Sequence, residues 1–255
     1  MSDQVAVIVQ ARTGSSRLPG KVLANLEGRP MLAFLVERLR RCTSVDRFIL
    51  ATTELQEDDG LSELGSSLGL TVVRGSQKDV LARFALAAEH TVATILVRIT
   101  GDCPLVDPGL LDEMINEFRD QEIDYLSNCI TPTYPDGMDI EIFTRRALAL
   151  AHAECVDLSQ REHVTPWIRN SGRCRLGQKR HHLDHSAMRW TVDEPEDLQV
   201  IRNVVAYFEG RSDFTWEQVL ELAQEQPHLF ADNARFSRNE GVSMGEGQKL
   251  WRRAK

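Results

Sequence analysis

The sequence predicts an α/β protein built on a mostly parallel sheet with flanking helices. Three observations carry this. Val5-Ala6-Val7-Ile8-Val9 is an unbroken apolar run of the kind a strand covered on both faces requires. Strand-like and helix-like segments then alternate to about Tyr125. The first strand empties into a loop with two glycines, two serines, two arginines and a lysine, Gln10 to Lys21, and open parallel sheets take ligands at such strand ends.

The elements follow in order. Met31 to Arg41 has helical spacing of Leu32, Leu35, Val36 and Leu39 after Pro30, a residue suited to a helix start. Phe48 to Thr52 is the second strand, Gly60 to Leu68 a helix, and Leu70 to Val73 the third strand. Asp79 is the expected N-cap of a helix through His90. Ile95 to Ile99 is the fourth strand, ended by Gly101-Asp102-Cys103-Pro104, and Asp107-Pro108 opens another helix. Beyond Tyr125 the alternation breaks. Thr131 to Glu141 holds two prolines, an aromatic and three acids. A helix through Leu148, a helix over Arg161 to Ile168, and a polar strand or arm over Cys174 to Arg180 are expected there. The core resumes at Met188 to Asp193, and Glu194 to Glu209 is an amphipathic helix with Pro195 in its first turn. Periodicity weakens from about Ala231.

Composition sets limits on function. A net charge of −8 disfavours bulk nucleic-acid binding, which selects basic surfaces. No apolar run is long enough to span a bilayer, and the N-terminus lacks a signal-peptide pattern. The five cysteines are scattered, odd in number and without a C-x-x-C pair, as expected of reduced thiols in a cytoplasmic protein.

The Gln10–Lys21 loop reads as an anion cradle. Glycines let backbone N–H groups turn toward phosphate oxygens, and Arg12, Arg17 and Lys21 supply charge. It is not a P-loop: Gly14 and Gly20 are one residue too far apart, and Val22 stands where a hydroxyl residue would hold magnesium. The G-x-G-x-x-G dinucleotide fingerprint is also missing.

Four separated blocks carry a resemblance: Gln10 to Lys21, Arg98 to Leu105 (RITGDCPL), Pro135 to Phe143 (PDGMDIEIF), and Trp190 to Leu198 (WTVDEPEDL). Together the chain resembles the cytidylyltransferase superfamily that activates acidic sugars, including the makers of CMP-sialic acid and CMP-KDO. It is most similar to the branch described as spore coat polysaccharide biosynthesis protein F. Asn239-Glu240-Gly241 also resembles a block of that branch.

The resemblance implies a Rossmann-like nucleotidyltransferase domain over residues 1–230. Within it, about 126–187 would be an insertion forming the acceptor pocket and a dimer arm, with a tail over 231–255. The implied reaction joins CTP to an acidic sugar or related hydroxyl acceptor and releases pyrophosphate, with Mg2+ as cofactor and a homodimer as the assembly. Arg12 and Lys21 match triphosphate contacts and, with Asp102 and Asp193, form the expected catalytic set. Asp102 and Asp193, each just past an apolar strand, are the expected metal ligands. Gln10, Ala11, Gly14, Ser15, Arg17, Arg74, Ser76, Asp79 and Thr100 complete the expected nucleotide site, although Arg17 is equally suited to pair with a carboxylate such as Glu27. Arg98, Tyr134, Asp136, Asp139, Glu141, His163 and Trp167 are the expected acceptor contacts. Asp139 and Glu141 are spaced to share one strand face. Asp197 is expected to serve the helix dipole. His181, His182 and His185 lack the partner spacing of a zinc site, and Trp251-Arg252-Arg253 reads as a basic end. Two alternatives stay open: another nucleotide used with a sugar-1-phosphate, and CMP transfer to a phosphonate-type acceptor.

Overall fold

The computed structural model describes residues 3–238. β1 (Val5–Gln10) leads through a short 3-10 turn at Lys21–Leu23 to a two-strand hairpin, β2 (Asn25–Leu26) and β3 (Arg29–Pro30). Then come α1 (Met31–Leu39), β4 (Arg47–Thr53), α2 (Asp59–Ser67), β5 (Thr71–Gly75), α3 (Val80–Glu89), β6 (Ile95–Thr100) and α4 (Pro108–Asp120). The second half holds β7 (Tyr125–Ser127), β8 (Glu141–Thr144), α5 (Arg145–Glu154), α6 (Leu158–His163), α7 (Pro166–Asn170), β9 (Leu176–Gln178), α8 (Pro195–Tyr207) and α9 (Trp216–Glu225).

The main sheet has seven strands in the order β5-β4-β1-β6-β8-β7-β9. β5, β4, β1 and β6 are parallel, while β8 runs antiparallel to both β6 and β7. The protein is therefore α/β with a mostly parallel sheet and flanking helices. Because β1 is covered on both faces, its odd and even residues feed two cores. Val5, Val7 and Val9 pack with residues of α1, α4, α8 and α9, whereas Ala6 and Ile8 pack with residues of α3 and α5. The C-terminal ends of β1, β4, β5 and β6 all open on one edge of the sheet, and the charged loops gather there.

Three details differ from expectation. Arg161 to Ile168 is two short helices, because Val164 turns to φ 69° between them and Pro166 starts the second one at its first position. Met188 to Asp193 is buried at Trp190 and Val192 but forms only an isolated bridge, Asp136 with Arg189, instead of a strand. The tail expected from residue 231 begins inside the fold: Asn233 is buried and donates to Arg189 O and Asp197 Oδ1, each at 2.9 Å. Asn239 to Gly241 and Trp251 to Arg253 lie outside the described residues.

Candidate active site

The loop after β1 is closed on itself and anchored. Thr13 O accepts from Ser15 N and Gly20 N, both at 2.8 Å, which folds Gly14 and Ser15 back against the strand exit. Asp58, fully buried after β4, accepts Thr13 N and Thr13 Oγ1 at 2.7 Å and also the Thr53 hydroxyl. Burial pushes the Asp58 carboxyl up, but these donors outweigh it and hold the pKa below the ordinary value.

Beyond Gly20 the Lys21 side chain runs inward and is 7 % exposed. Its Nζ donates to Asp102 Oδ2 at 2.9 Å, Asp193 Oδ1 at 2.9 Å and Val192 O at 2.6 Å. Val192 N donates to Asp102 O at 2.8 Å, so a backbone bond holds the two carboxylate loops together. On its other side the Asp102 loop lies close to the exit of β1, which needs Gly101: a Cβ there would meet Ala11 Cβ at 2.8 Å. Burial pulls the Lys21 ammonium down; Asp102 and Asp193 together outweigh it and raise the pKa. Asp102 is the counterpart: burial pushes it up, and Lys21 brings it below the ordinary carboxylate range. Arg17 joins the same group, 3.0 Å from Asp193 Oδ1 and 3.2 Å from Glu194 Oε1, and not Glu27. Among the described residues Arg12 has neither a hydrogen bond nor an ion pair.

The other expected nucleotide residues sit at the same edge with their groups partly engaged. Ala11 N donates to Ala51 O at 3.3 Å. Arg74 donates to Thr53 O and Leu55 O and pairs with Asp59 at 2.7 Å. Ser76 Oγ accepts from Asp79 N, and Asp79 caps α3 through Ala82 N at 2.9 Å, as its position implied. The second oxygen of Asp79 pairs with Arg161 at 2.9 Å. Thr100 Oγ1 lies 3.1 Å from Cys103 Sγ.

The expected acceptor residues divide into two groups. On one side, Arg98 Nε donates to Gln10 Oε1 at 3.2 Å and its NH1 pairs with Glu141. Glu141 also accepts from Tyr125 and Thr165, both at 2.5 Å, so its oxygens are occupied within the fold. His163 is exposed and Trp167 half-buried beside this network, with Trp167 against the α3/α5 core. On the other side stands Arg189. It donates to Asp197 at 2.8 and 2.9 Å, to Asp136 Oδ2 at 3.3 Å and to Asp193 Oδ2 at 3.3 Å. Arg238 pairs with Asp139, lies 3.9 Å from Asp136 and donates to Tyr134 O at 3.3 Å. Tyr134 itself is buried against Trp216 and His181. Asp139 precedes β8, so it shares no strand face with Glu141, and the two carboxylates have separate arginines. Burial first, and Asp139 and Asp193 with it, pushes the Asp136 carboxyl up to about 6 against the pull of Arg238 and Arg189.

Sequence reasoning does not single out Asp58, Arg189, Asn233 and Arg238, whose bonds hold these loops together. It also gave Asp197 a lesser role than the structure does. Asp197 is buried and clamps Arg189 while accepting Asp193 N and Glu194 N at 2.9 Å. The Trp190 block begins one residue after Arg189, and that adjacency was the available signal. Among the described residues no three His, Cys, Asp or Glu side chains form a ready-made metal cage. Asp102 and Asp193 nevertheless fit a magnesium site, because that ion takes one or two carboxylates and completes its shell with phosphate oxygens and water. Both are partly exposed, at 28 % and 21 % of the side chain.

Comparison with known proteins bears on this geometry. The sequence model of the family described as Cytidylyltransferase matches residues 6–236. The spore coat polysaccharide biosynthesis protein SpsF of Bacillus subtilis is 32 % identical, over 88 % of this chain and 96 % of its own. A cytidylyltransferase from Leptospira borgpetersenii superposes with a TM-score of 0.85 at 33 % identity, covering 89 % of this chain and 97 % of that one. The synthetase of CMP-2-keto-3-deoxy-manno-octonic acid, solved with CTP, shares the fold with a TM-score of 0.62 at 19 % identity, over 80 % of this chain and 99 % of that one.

Proposed function

The chain belongs to the cytidylyltransferase family, and from that premise we propose that it transfers CMP from CTP to an acidic sugar or related hydroxyl acceptor, releasing pyrophosphate, in surface-polysaccharide biosynthesis. The observation that carries this reading is the Lys21 ammonium, buried between Asp102 and Asp193 at the mouth of the parallel strands.

Nucleotidyl transfer requires in-line attack on the α-phosphorus, with charge building on the phosphate oxygens and the leaving pyrophosphate. Positioning and electrostatics therefore supply most of the catalysis. Arg12, without a partner among the described residues, offers paired donors to phosphate oxygens, and Lys21 acts as a point charge. The Ser15 and Gly20 N–H groups are spent on Thr13 O, and the loop closed in this way fixes where Arg12 and Gly14 stand at the strand exit. Asp102 and Asp193 would hold Mg2+, which when bound would supply positive charge for the α-phosphate and the departing pyrophosphate. Asp136, Asp139 and Arg238 face the acceptor with mixed charge, suited to hydroxyl and carboxylate groups together. The names of the relatives, one a polysaccharide-biosynthesis protein and one a sugar-acid synthetase, support this acceptor class. A homodimer is part of the same reading.

Thermal stabilisation by CTP, UTP, GTP and ATP, with and without magnesium, tests it. CTP-selective, magnesium-dependent stabilisation is expected, followed by pyrophosphate release with an acidic-sugar panel. Selective stabilisation by UTP or GTP overturns the nucleotide assignment and favours a sugar-1-phosphate acceptor. Sedimentation of the free chain as a monomer overturns the dimer.

A further inference from the structure

Arg83, one turn into α3, is 1 % exposed, yet among the described residues its side chain makes a single hydrogen bond, from NH1 to Ser76 O at 3.1 Å. Its Nε is buried without a partner. A guanidinium has five N–H donors, and a buried charge left unpaired costs far more than one that is matched. Arg38 shows what a purely structural buried arginine does in this protein. It is 0 % exposed, and its donors meet four carbonyls: Leu105, Val106, Ser212 and Phe214.

The surroundings of Arg83 do not complete it. Gly75, at the end of β5, packs on its aliphatic stem, where a Cβ would lie 3.4 Å from Cγ. This sets the guanidinium beneath the Gly75–Asp79 loop. Asp58 is the nearby carboxylate, but its oxygens are taken by Thr13 and Thr53. Arg98 is nearby too and is matched by Glu141. Burial first, and then the charge of Arg12, pulls the Arg83 pKa down to about 10, so the group stays protonated at neutral pH. The charge of Arg12 thus reaches Arg83 from the loop after β1, and among the described residues neither arginine is bonded to a carboxylate.

We propose that Arg12 and Arg83 form a two-arginine clamp for phosphate, making Arg83 a nucleotide-binding residue beyond the Gln10–Lys21 loop. The proposal rests on the reading of this edge as a nucleoside triphosphate site. The anion is assigned to the nucleotide and not to the acceptor because Arg12 and Arg83 follow β1 and β5, parallel strands whose ends carry the expected nucleotide residues Gln10, Gly14, Arg74 and Ser76.

Inorganic tripolyphosphate, which has no base, is the probe, titrated calorimetrically into the full chain. The wild type is expected to bind it. Arg83→Met is expected to raise its Kd at least tenfold, about 1.4 kcal/mol, with a melting temperature in the absence of ligand no lower than wild type, since an unmatched buried charge has been removed. Arg12→Met should weaken binding similarly, and the double variant by less than the product of the two. If Arg83→Met does not fold, Arg83→Lys reads the same point: it keeps the charge but loses the paired donors, and wild-type affinity in it overturns the clamp. The clamp is also overturned by three other results: no tripolyphosphate binding by the wild type, unchanged affinity in Arg83→Met, or a raised acceptor KM with unchanged tripolyphosphate affinity. A chain that binds tripolyphosphate through Arg83 but prefers another nucleotide would retain the clamp and lose only the CTP assignment.

Discussion

Lys21 is buried because three oxygens replace its water: two carboxylates and a carbonyl within 2.9 Å. Removing one carboxylate leaves the ammonium with Asp193 and Val192 O, so Asp102→Asn is expected to fold. Its turnover should fall on the order of 10²–10³-fold, the scale for losing one preorganised charge-stabilising group. Pyrophosphate release, read beside circular dichroism, checks this, and unchanged turnover removes Asp102 from the catalytic set. Asp136 makes a different prediction. Its folded pKa of about 6 is raised by burial and by Asp139 and Asp193, against Arg238 and Arg189. Between the ordinary carboxylate pKa and about 6 the folded state binds the extra proton, so this group contributes stability at low pH that is lost as pH rises through about 6. Asp136→Asn lacks that dependence. Its melting temperature should gain on wild type between pH 4 and pH 7, and a difference flat with pH contradicts the shift.

At the level of elements, the start of α8 does two jobs. Glu194 and Asp197 form a capping box, and Asp197 also takes both ends of the Arg189 guanidinium. Thr215 and Gln218 form a second box on α9 with no such burden. Thr215→Ala should therefore cost about 1 kcal/mol. Asp197→Ala strands a buried arginine and should cost about 3–5 kcal/mol. Differential scanning calorimetry distinguishes them, and equal losses would mean that Arg189 finds other partners. The same contrast explains what was legible in the sequence. β1 and the centres of β4 and β6 announce themselves because strands covered on both faces must be apolar there, whereas β5, at the edge of the sheet with only Val73 buried, is marked by the short apolar run Leu70 to Val73. β7 and β9 are three residues each and are defined by their neighbours, so no periodicity marks them. At the site, Asp102 and Asp193 are legible as charged residues just past apolar runs and Lys21 through the resemblance of its loop, and the structure brings the three side chains together. Arg83 stands on a helix face that reads as core, and Asp58 and Arg189 acquire their partners through chain crossings that spacing does not reveal. Arg161 to Ile168 held its own signal in Pro166, but helical periodicity on both sides masked it.

Across the whole molecule, the C-terminal third closes the site it does not begin. The candidate nucleotide residues lie within the first 102 positions, whereas Arg189, Asn233 and Arg238 cross from the far end of the chain to Asp136, Asp139, Asp193 and Asp197. Ending the chain at Phe230 removes the two hydrogen bonds of Asn233 and the charge of Arg238. Losing a buried hydrogen-bond partner costs about 1–3 kcal/mol, and breaking a buried ion pair about 3–5 kcal/mol. At roughly 2–4 °C per kcal/mol for a chain of this size, the melting temperature should fall on the order of 10 °C. The pH dependence of that fall identifies its source. Arg238 is the largest influence opposing the raised pKa values of both Asp136 and Asp139. Without it both rise further, so the truncated chain is penalised more as each carboxyl is forced to ionise. Its deficit against the full chain should be small near pH 4 and grow toward pH 8. A deficit independent of pH would instead assign the loss to Asn233 and to the packing of Phe236 on Arg189.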